Sequence, residues 1–177
     1  MKLLPIKIRD NLHLRQLRAS DIDTHWSAFA KNQAHINRWE DWARTTTREE
    51  QVAYLQQCKI RYENNQGFAC GIWHDDYYVG IITAYIENSH GELSYWLDSN
   101  MTGKGIMTQC LNALIEAIFA SGYATMLQLV IAIGNTKSQA LAERLGFSEA
   151  KILHNDVLLR GKLIDRVVYR LYRHEIS

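Results

Sequence analysis

A chain of 177 residues with 20 Lys and Arg against 19 Asp and Glu carries a formal charge of only +1, which argues against a general nucleic-acid binder. Hydrophobic residues make up 47% and charged residues 22%, which excludes a disordered chain and suits a single folded domain spanning residues 1–177. The start, MKLLPIKIRD, turns charged within ten residues, and no apolar run reaches membrane-spanning length. Cys58, Cys70 and Cys110 lack C-x-x-C spacing, so reduced thiols and a cytoplasmic setting are expected rather than a disulfide framework or a zinc knuckle. Arg38, Arg44, Arg48, Lys59 and Arg61 leave room for a local basic patch in the first half.

In chain order, residues 13–18 alternate polar and apolar side chains and predict a short strand. Ser20-Asp21-Ile22-Asp23 offers an N-cap before a helix running through Asn32. Thr47 and Glu50 form a capping box. The helix they open carries Val52, Leu55 and Ile60 inward and ends near Asn64-Asn65. Strands follow at residues 68–73 and 78–86, joined by a hairpin around His74-Asp75-Asp76, and a third at residues 92–97. From Gly105 to about Ser121, Ile106, Cys110, Leu111, Leu114, Ile118 and Phe119 recur at helical spacing. Residues 126–133 read as a strand buried on both faces. A short helix from Asn135 to Leu145 is stopped by Gly146, and residues 150–153 and 165–172 alternate as closing strands. The order predicts a mixed α/β (α+β) fold.

The segment ELSYWLDSNMTGKGIMT carries the most information. A strand, a Gly-Lys-Gly turn and a helix N-terminus together form an anion cradle. The first N–H groups of a helix have no internal partner, and the helix dipole places partial positive charge there. Gly103 and Gly105 permit a tight turn and close approach of a phosphate. A phosphate-bearing ligand is expected.

With this segment, Asn135 and Ser138 in IGNTKSQALAERLGF, the late RGKLIDRVVY and the early KNQAHINRWEDWARTTTREE, nearly the whole chain resembles the GNAT superfamily of acyl-CoA-dependent N-acyltransferases. More narrowly it is similar to the RimL/RimJ ribosomal-protein N-acetyltransferase branch. The resemblance implies a mixed, mostly antiparallel sheet flanked by helices, with two central strands splayed around acetyl-CoA. It places the pyrophosphate on backbone N–H groups of Gly103, Lys104, Gly105, Met107 and Thr108, with the Thr108 hydroxyl added. Thr102 and Met107 depart from the broad superfamily pattern, but backbone donors survive both changes. The pantetheine arm would pair with backbone near Trp96 and Leu97, where an N–H would hold the oxyanion, and would meet the Asn135 side chain.

By the same resemblance Ser138 is the proton donor to the leaving thiolate. Ala142 stands where many relatives have a Tyr, which adds weight to Ser138. A plainer reading makes Asn135 a helix N-cap and Ser138 an ordinary first-turn residue. Glu92 is the general-base candidate, alternating with Ser94 and Trp96 on one face while Leu93, Tyr95 and Leu97 take the other; it also reads as a solvated strand-end carboxylate. At the other acid position of RimL-like chains an ungapped alignment puts Val157, with Asp156 adjacent. An α-amine, with a pKa of about 7.7–8.0, needs less base help than a lysine near 10.4, which favours an N-terminal acceptor.

Trp26, Trp39, Trp42, His35 and Arg38 fall in the first-half helices, which the resemblance implies form the acceptor side; Trp39 and Trp42, three apart, are expected to share a helix face, with core packing as the alternative role. The histidines lack metal spacing, so no metal is assigned. Arg160-Gly161 with Asp165 matches the family hairpin, a structural role. The expected activity is direct acetyl transfer from acetyl-CoA to a protein N-terminal amine, with a ribosomal protein as the expected substrate, by a homodimer with no membrane contact and no general nucleic-acid binding. A small amine acceptor (antibiotic, toxin or polyamine) and a non-catalytic CoA-binding module are the alternatives. A P-loop nucleotide site is set aside because G-x-x-x-x-G-K-[S/T] spacing is missing.

Overall fold

A computed structural model describes residues 3–175, in which eight strands form one sheet in the order β1-β2-β3-β4-β5-β6-β8-β7. In chain order these are β1 (Ile6–Arg9), β2 (Leu12–Gln16), α1 (Ile22–Ile36), α2 (Arg48–Glu63), β3 (Gly67–His74), β4 (Tyr77–Glu87), β5 (His90–Leu97), α3 (Ile106–Ser121), β6 (Met126–Ala132), α4 (Thr136–Arg144), β7 (Ser148–Leu159) and β8 (Lys162–Tyr172). Every neighbouring pair is antiparallel except β5–β6. The hairpins closing β3–β4, β4–β5 and β7–β8 each place two residues at positive φ: Asp75 and Asp76, Asn88 and Ser89, Arg160 and Gly161. Such turns match the right-handed twist of the strands they join.

Helices α3 and α4 cover one face. The apolar repeat of α3 buries Ile106, Cys110, Leu111, Leu114, Ile115 and Ile118 against Leu93 and Leu97 of β5 and Leu127 and Leu129 of β6. Each buried Leu or Ile there contributes about 1.5–3 kcal/mol. Helices α1 and α2 lie over the other face, where Leu55 and Cys58 pack with Leu17, Ala69, Tyr78 and Ile81. The capping box of α2 forms as expected: the Glu50 N–H donates to Thr47 Oγ (3.2 Å), and the Thr47 N–H donates to the Glu50 carboxylate (2.8 Å). The expected interleaving on β5 also holds, with Leu93 and Leu97 in the α3 core and Trp96 packed toward α1.

Several local expectations change. The first strand spans Leu12–Gln16 rather than 13–18, and β1 precedes it. Ile60 is 46% exposed, because Gln51, Leu55 and Cys58 set the buried stripe of α2 and Ile60 falls off it. On β6, Gln128 and Val130 are only half-buried, so one face of that strand is partly open. The strand expected at 150–153 is the twelve-residue β7, which slips register between Leu153 and Val157 around Asn155 at φ 50°. Trp39 sits in the turn after α1 and Trp42 in a short 3-10 turn, so they share no helix. The basic patch is largely neutralised: Arg48 pairs with Asp23 (2.6 Å), Arg44 with Asp41 (3.8 Å) and Lys59 with Glu63 (3.7 Å), and Arg61 lies over the Tyr85 ring.

Candidate active site

Strands β5 and β6 pair at His90–Met126, Gly91–Leu127 and Glu92–Gln128, and then part. The Asp98 N–H donates to the Val79 carbonyl (2.7 Å) at the end of the unbroken β4–β5 register. Antiparallel alternation therefore turns the amide of Trp96 toward β4 and those of Leu93, Tyr95 and Leu97 toward the gap. Of the two residues expected to offer backbone there, Leu97 has the right orientation and Trp96 does not. The Trp96 ring instead packs against His25, Phe29 and Tyr78, with centroids 6.0–6.2 Å away, and so anchors the strand.

At the outer end of the gap the chain turns through Gly103 (φ 75°) and Gly105 (φ 73°) into α3. A Cβ at Gly103 would meet nothing within 4 Å, and one at Gly105 only Gln109 Nε2 at 3.6 Å, so the cradle is open on its outer side. These glycines are needed for φ rather than for space. The N–H groups of Ile106, Met107 and Thr108 head the helix without internal partners. Met107 is buried in the core, so only its backbone is available to a ligand. Thr108 is partly exposed, and Lys104 is exposed.

The cradle is tied back to α1. Asp98 Oδ1 accepts from the Asn100 N–H (2.9 Å), Lys31 Nζ reaches Asp98 Oδ2 (3.3 Å), and the Ser99 N–H donates to Asn32 Oδ1 (2.9 Å). Burial alone would raise the Asp98 carboxyl, but these partners outweigh it and hold it below the ordinary carboxylate value. His35 is held low by burial and by neighbouring Arg38 and Lys137, against the pull of Asp98.

Asn135 caps α4, its side-chain oxygen accepting from the Ser138 N–H (3.4 Å). The structure brings Ser138 and Asn135 together at the start of α4, directly after β6. Glu92 lies where the two strands part, its carboxylate accepting from Gln128 Nε2 (2.8 Å). It borders two grooves on the α2 face that share Tyr85, one reaching Tyr54, Cys58, Arg61 and Ser94 and the other Gln128 and Arg170. Asp156 is committed to an ion pair with Arg166, and Val157 is half-buried beside it. Asp165 accepts from His154 (2.8 Å) and from the Asn155 N–H (2.8 Å), which makes it a structural part of the β7–β8 hairpin.

Over the gap, Trp39 lies 3.9 Å from the position of a Cβ at Gly134, the residue before Asn135. Trp42 stacks on Phe29 at 5.7 Å, is 48% exposed, and donates its indole N–H to Glu40 (2.9 Å). Crowding raises the Glu40 carboxyl, opposed by the Trp42 N–H and by Arg166, although its outer edge stays open to solvent. From sequence Glu40 has no assigned role, because its position against Trp42 depends on the turn that follows α1. Burial pushes the Cys110 thiol up to about 12 and raises Cys58 and Cys70 as well, so none is an activated nucleophile. Among the described residues no three His, Cys, Asp or Glu side chains form a metal site, and no helix is long and apolar enough to cross a membrane.

A parallel pair of strands that splay beside a glycine turn and a helix N-terminus defines an acyl-CoA transferase site. Residues 11–148 match the family of acetyltransferase (GNAT) domains, and the chain belongs to that family: it is an N-acetyltransferase that uses acetyl-CoA. It is 27% identical over 174 residues to the ribosomal-protein-serine acetyltransferase of Escherichia coli (strain K12), covering 90% of this chain and 97% of that protein. It also shares its fold with a solved structure of RimL, described as a ribosomal L7/L12 alpha-N-protein acetyltransferase in complex with coenzyme A. That match has a TM-score of 0.91 at 24% identity and covers 96% and 98% of the two chains. The microcin C7 self-immunity acetyltransferase MccE, solved with acetyl-CoA and AMP, matches with a TM-score of 0.88 at 24% identity over 94% and 95%.

Proposed function

We propose that this enzyme acetylates the N-terminal α-amine of a protein, with a ribosomal protein as the substrate class, by direct transfer in a ternary complex. The observation that carries the reading is the gap between β5 and β6. It opens onto the glycine cradle, presents the backbone of Leu97 and Tyr95, and is flanked by Asn135 and Ser138. The name of the E. coli relative supports the acceptor class.

In this reading backbone N–H groups of Gly103, Lys104, Gly105, Met107 and Thr108 hold the pyrophosphate, and the Thr108 hydroxyl adds a contact. The Asn135 carboxamide and the Leu97 backbone align the pantetheine arm. The Leu97 N–H faces the thioester carbonyl, where negative charge develops. Trp96 holds the strand in place. Glu92 takes the proton lost by the incoming amine, and Ser138 presents its hydroxyl to the departing sulfur. An α-amine is roughly a tenth neutral at pH 7, so Glu92 has little free energy to supply. The buried, high-pKa thiols support direct attack over an acyl-cysteine intermediate. The half-exposed Trp42 favours a second acceptor class, a small amine with a planar ring that it can stack against.

We further infer a cytoplasmic enzyme comprising one domain. A homodimer is supported by Leu158 and Leu163, both more than half exposed on the β7–β8 edge, and sedimentation of the purified protein tests it. The deciding experiment incubates the enzyme with acetyl-CoA and either ribosomal proteins or an amine panel, then reads intact masses. A gain of one acetyl on a protein N-terminus supports the proposal. Acetylation confined to small amines selects the second class. Acetyl-CoA binding without turnover on either would leave only a CoA-binding module.

A further inference from the structure

Tyr85 and Glu92 stand directly opposite each other across β4 and β5, and Thr83 and Ser94 form the next such pair on the same face. These residues floor a groove of about 190 Å³ that α2 walls with Cys58 and Arg61. The Thr83 and Ser94 hydroxyls lie 2.6 Å apart and satisfy each other. The charged groups lining the groove are therefore the Glu92 carboxylate and the Arg61 guanidinium. Arg44, Arg48 and Lys59 each meet a carboxylate. Arg61 does not: it is half-buried, its Cζ lies over the Tyr85 ring at 5.4 Å from the centroid, and among the described residues it forms no ion pair. A guanidinium set over an aromatic face keeps its edge of N–H donors for an anion, and that planar fork matches a carboxylate.

The neighbouring groove, which shares Tyr85 and Glu92, also holds an arginine, Arg170, but adds the Glu87 carboxylate, which repels an anion. The groove under α2 is thus the one that suits a molecule with an amine at one end and a carboxylate at the other. Its volume falls below the roughly 300 Å³ at which small-molecule sites begin, so it fits the end of a longer acceptor. Strands stand about 4.8 Å apart and an extended chain advances about 3.3 Å per residue. An acceptor with its amine at Glu92 that crosses Tyr85 to Arg61 therefore needs only its first two or three residues.

We propose that this groove receives the N-terminal end of the acceptor and that Arg61 is a specificity-determining residue, selecting a carboxylate one or two residues beyond the reacting amine. The proposal rests on the reading of Glu92 as the group that meets that amine. Two sources share this chemistry, an Asp or Glu side chain near a protein N-terminus and a free acidic amino acid, and the assay separates them.

The assay measures kcat/KM with acetyl-CoA for peptides that begin Ser-Glu or Ser-Ala-Glu, for the same peptides with Gln in place of Glu, and for free glutamate. The parent enzyme should prefer a Glu peptide over its Gln counterpart by about 10-fold, a comparison that needs no variant to fold. Arg61→Gln should bring that ratio to about one, and Arg61→Lys should keep part of it. Arg170→Gln should leave the ratio as it is in the parent. Equal rates on Glu and Gln peptides, a preference that survives Arg61→Gln, or one lost only in Arg170→Gln overturns the proposal and leaves the N-terminal reading standing. Acetylation of free glutamate without any peptide turnover, lost in Arg61→Gln, would keep the role of Arg61 and overturn the N-terminal reading instead.

Discussion

Substituting Gly105 by Ala separates the conformation of the cradle from its chemistry. Gly105 sits at φ 73°, where an L-residue costs about 1–2 kcal/mol. No clash adds to this, since the nearest atom to the new Cβ would be Gln109 Nε2 at 3.6 Å. A chain of 177 residues unfolds with an entropy of roughly 0.37 kcal/mol per kelvin, so Tm should fall by about 3–5 °C. Binding should suffer more, because the new methyl group would stand on the turn whose N–H groups, with those of Met107 and Thr108, the proposal assigns to the pyrophosphate. Losing one charge-assisted hydrogen bond of about 1.5–3 kcal/mol predicts a kcat/KM for acetyl-CoA lower by roughly 10- to 100-fold. The assay compares acetyl-CoA with S-acetylpantetheine, which has the thioester and the arm but no pyrophosphate. Gly105→Ala should leave the kcat/KM of the truncated donor near that of the parent enzyme. An equal loss with both donors would show that the substitution disorders the gap itself, and would refute the assignment of this turn to phosphate.

Three further outcomes are expected. Asp98→Ala removes the cap of the turn before the cradle, which should cost about 1 kcal/mol by thermal denaturation and weaken acetyl-CoA binding in a titration. The Lys31 pair adds little to this figure, since Lys31 is 63% exposed. His25 is buried between Tyr78 and Gln51, and burial lowers its pKa below 6.5. The unfolded ring therefore binds a proton more readily than the folded one, so this stability is complete above about pH 6.5 and is lost as the pH falls below it; a plot of Tm against pH should flatten there in His25→Gln. Glu92→Gln should lower kcat/KM by about 10-fold at neutral pH, the factor set by the neutral fraction of an α-amine, and by less as the acceptor amine deprotonates, read from a pH–rate profile. A flat ratio across that profile would remove Glu92 as the base.

What could be read from sequence was whatever is local. The turn at Gly103 and Gly105, the Thr47–Glu50 box, the Asn135 cap and the apolar stripe of α3 are each decided within a few residues, and all stand in the structure. Strand β7 was cut short because its alternation breaks at Asn155, a kink whose only compensation is pairing with β8, distant in sequence. The shared helix face expected for Trp39 and Trp42 rests on their spacing of three alone, whereas tertiary contacts with Gly134 and Phe29 set their places. Trp96 was expected to offer its amide to the ligand, yet which residue of a strand faces which neighbour depends on register, fixed here by the Asp98–Val79 bond.

The parting of β5 from β6 also bears on how the protein holds itself together. Five strands lie on one side of the gap and three on the other, and the ladder across it is the short run from His90–Met126 to Glu92–Gln128. Beyond that run the sheet lacks a strand, and an extended ligand with amides of its own is the natural substitute. Such a ligand would stitch two half-sheets together, so binding should slow hydrogen exchange at Leu97 and on β6, and also on β8, which lies beyond its reach. Because the stitches are main-chain groups, side chains along the gap are free to drift, which is how two chains that differ at three positions in four can superpose so closely.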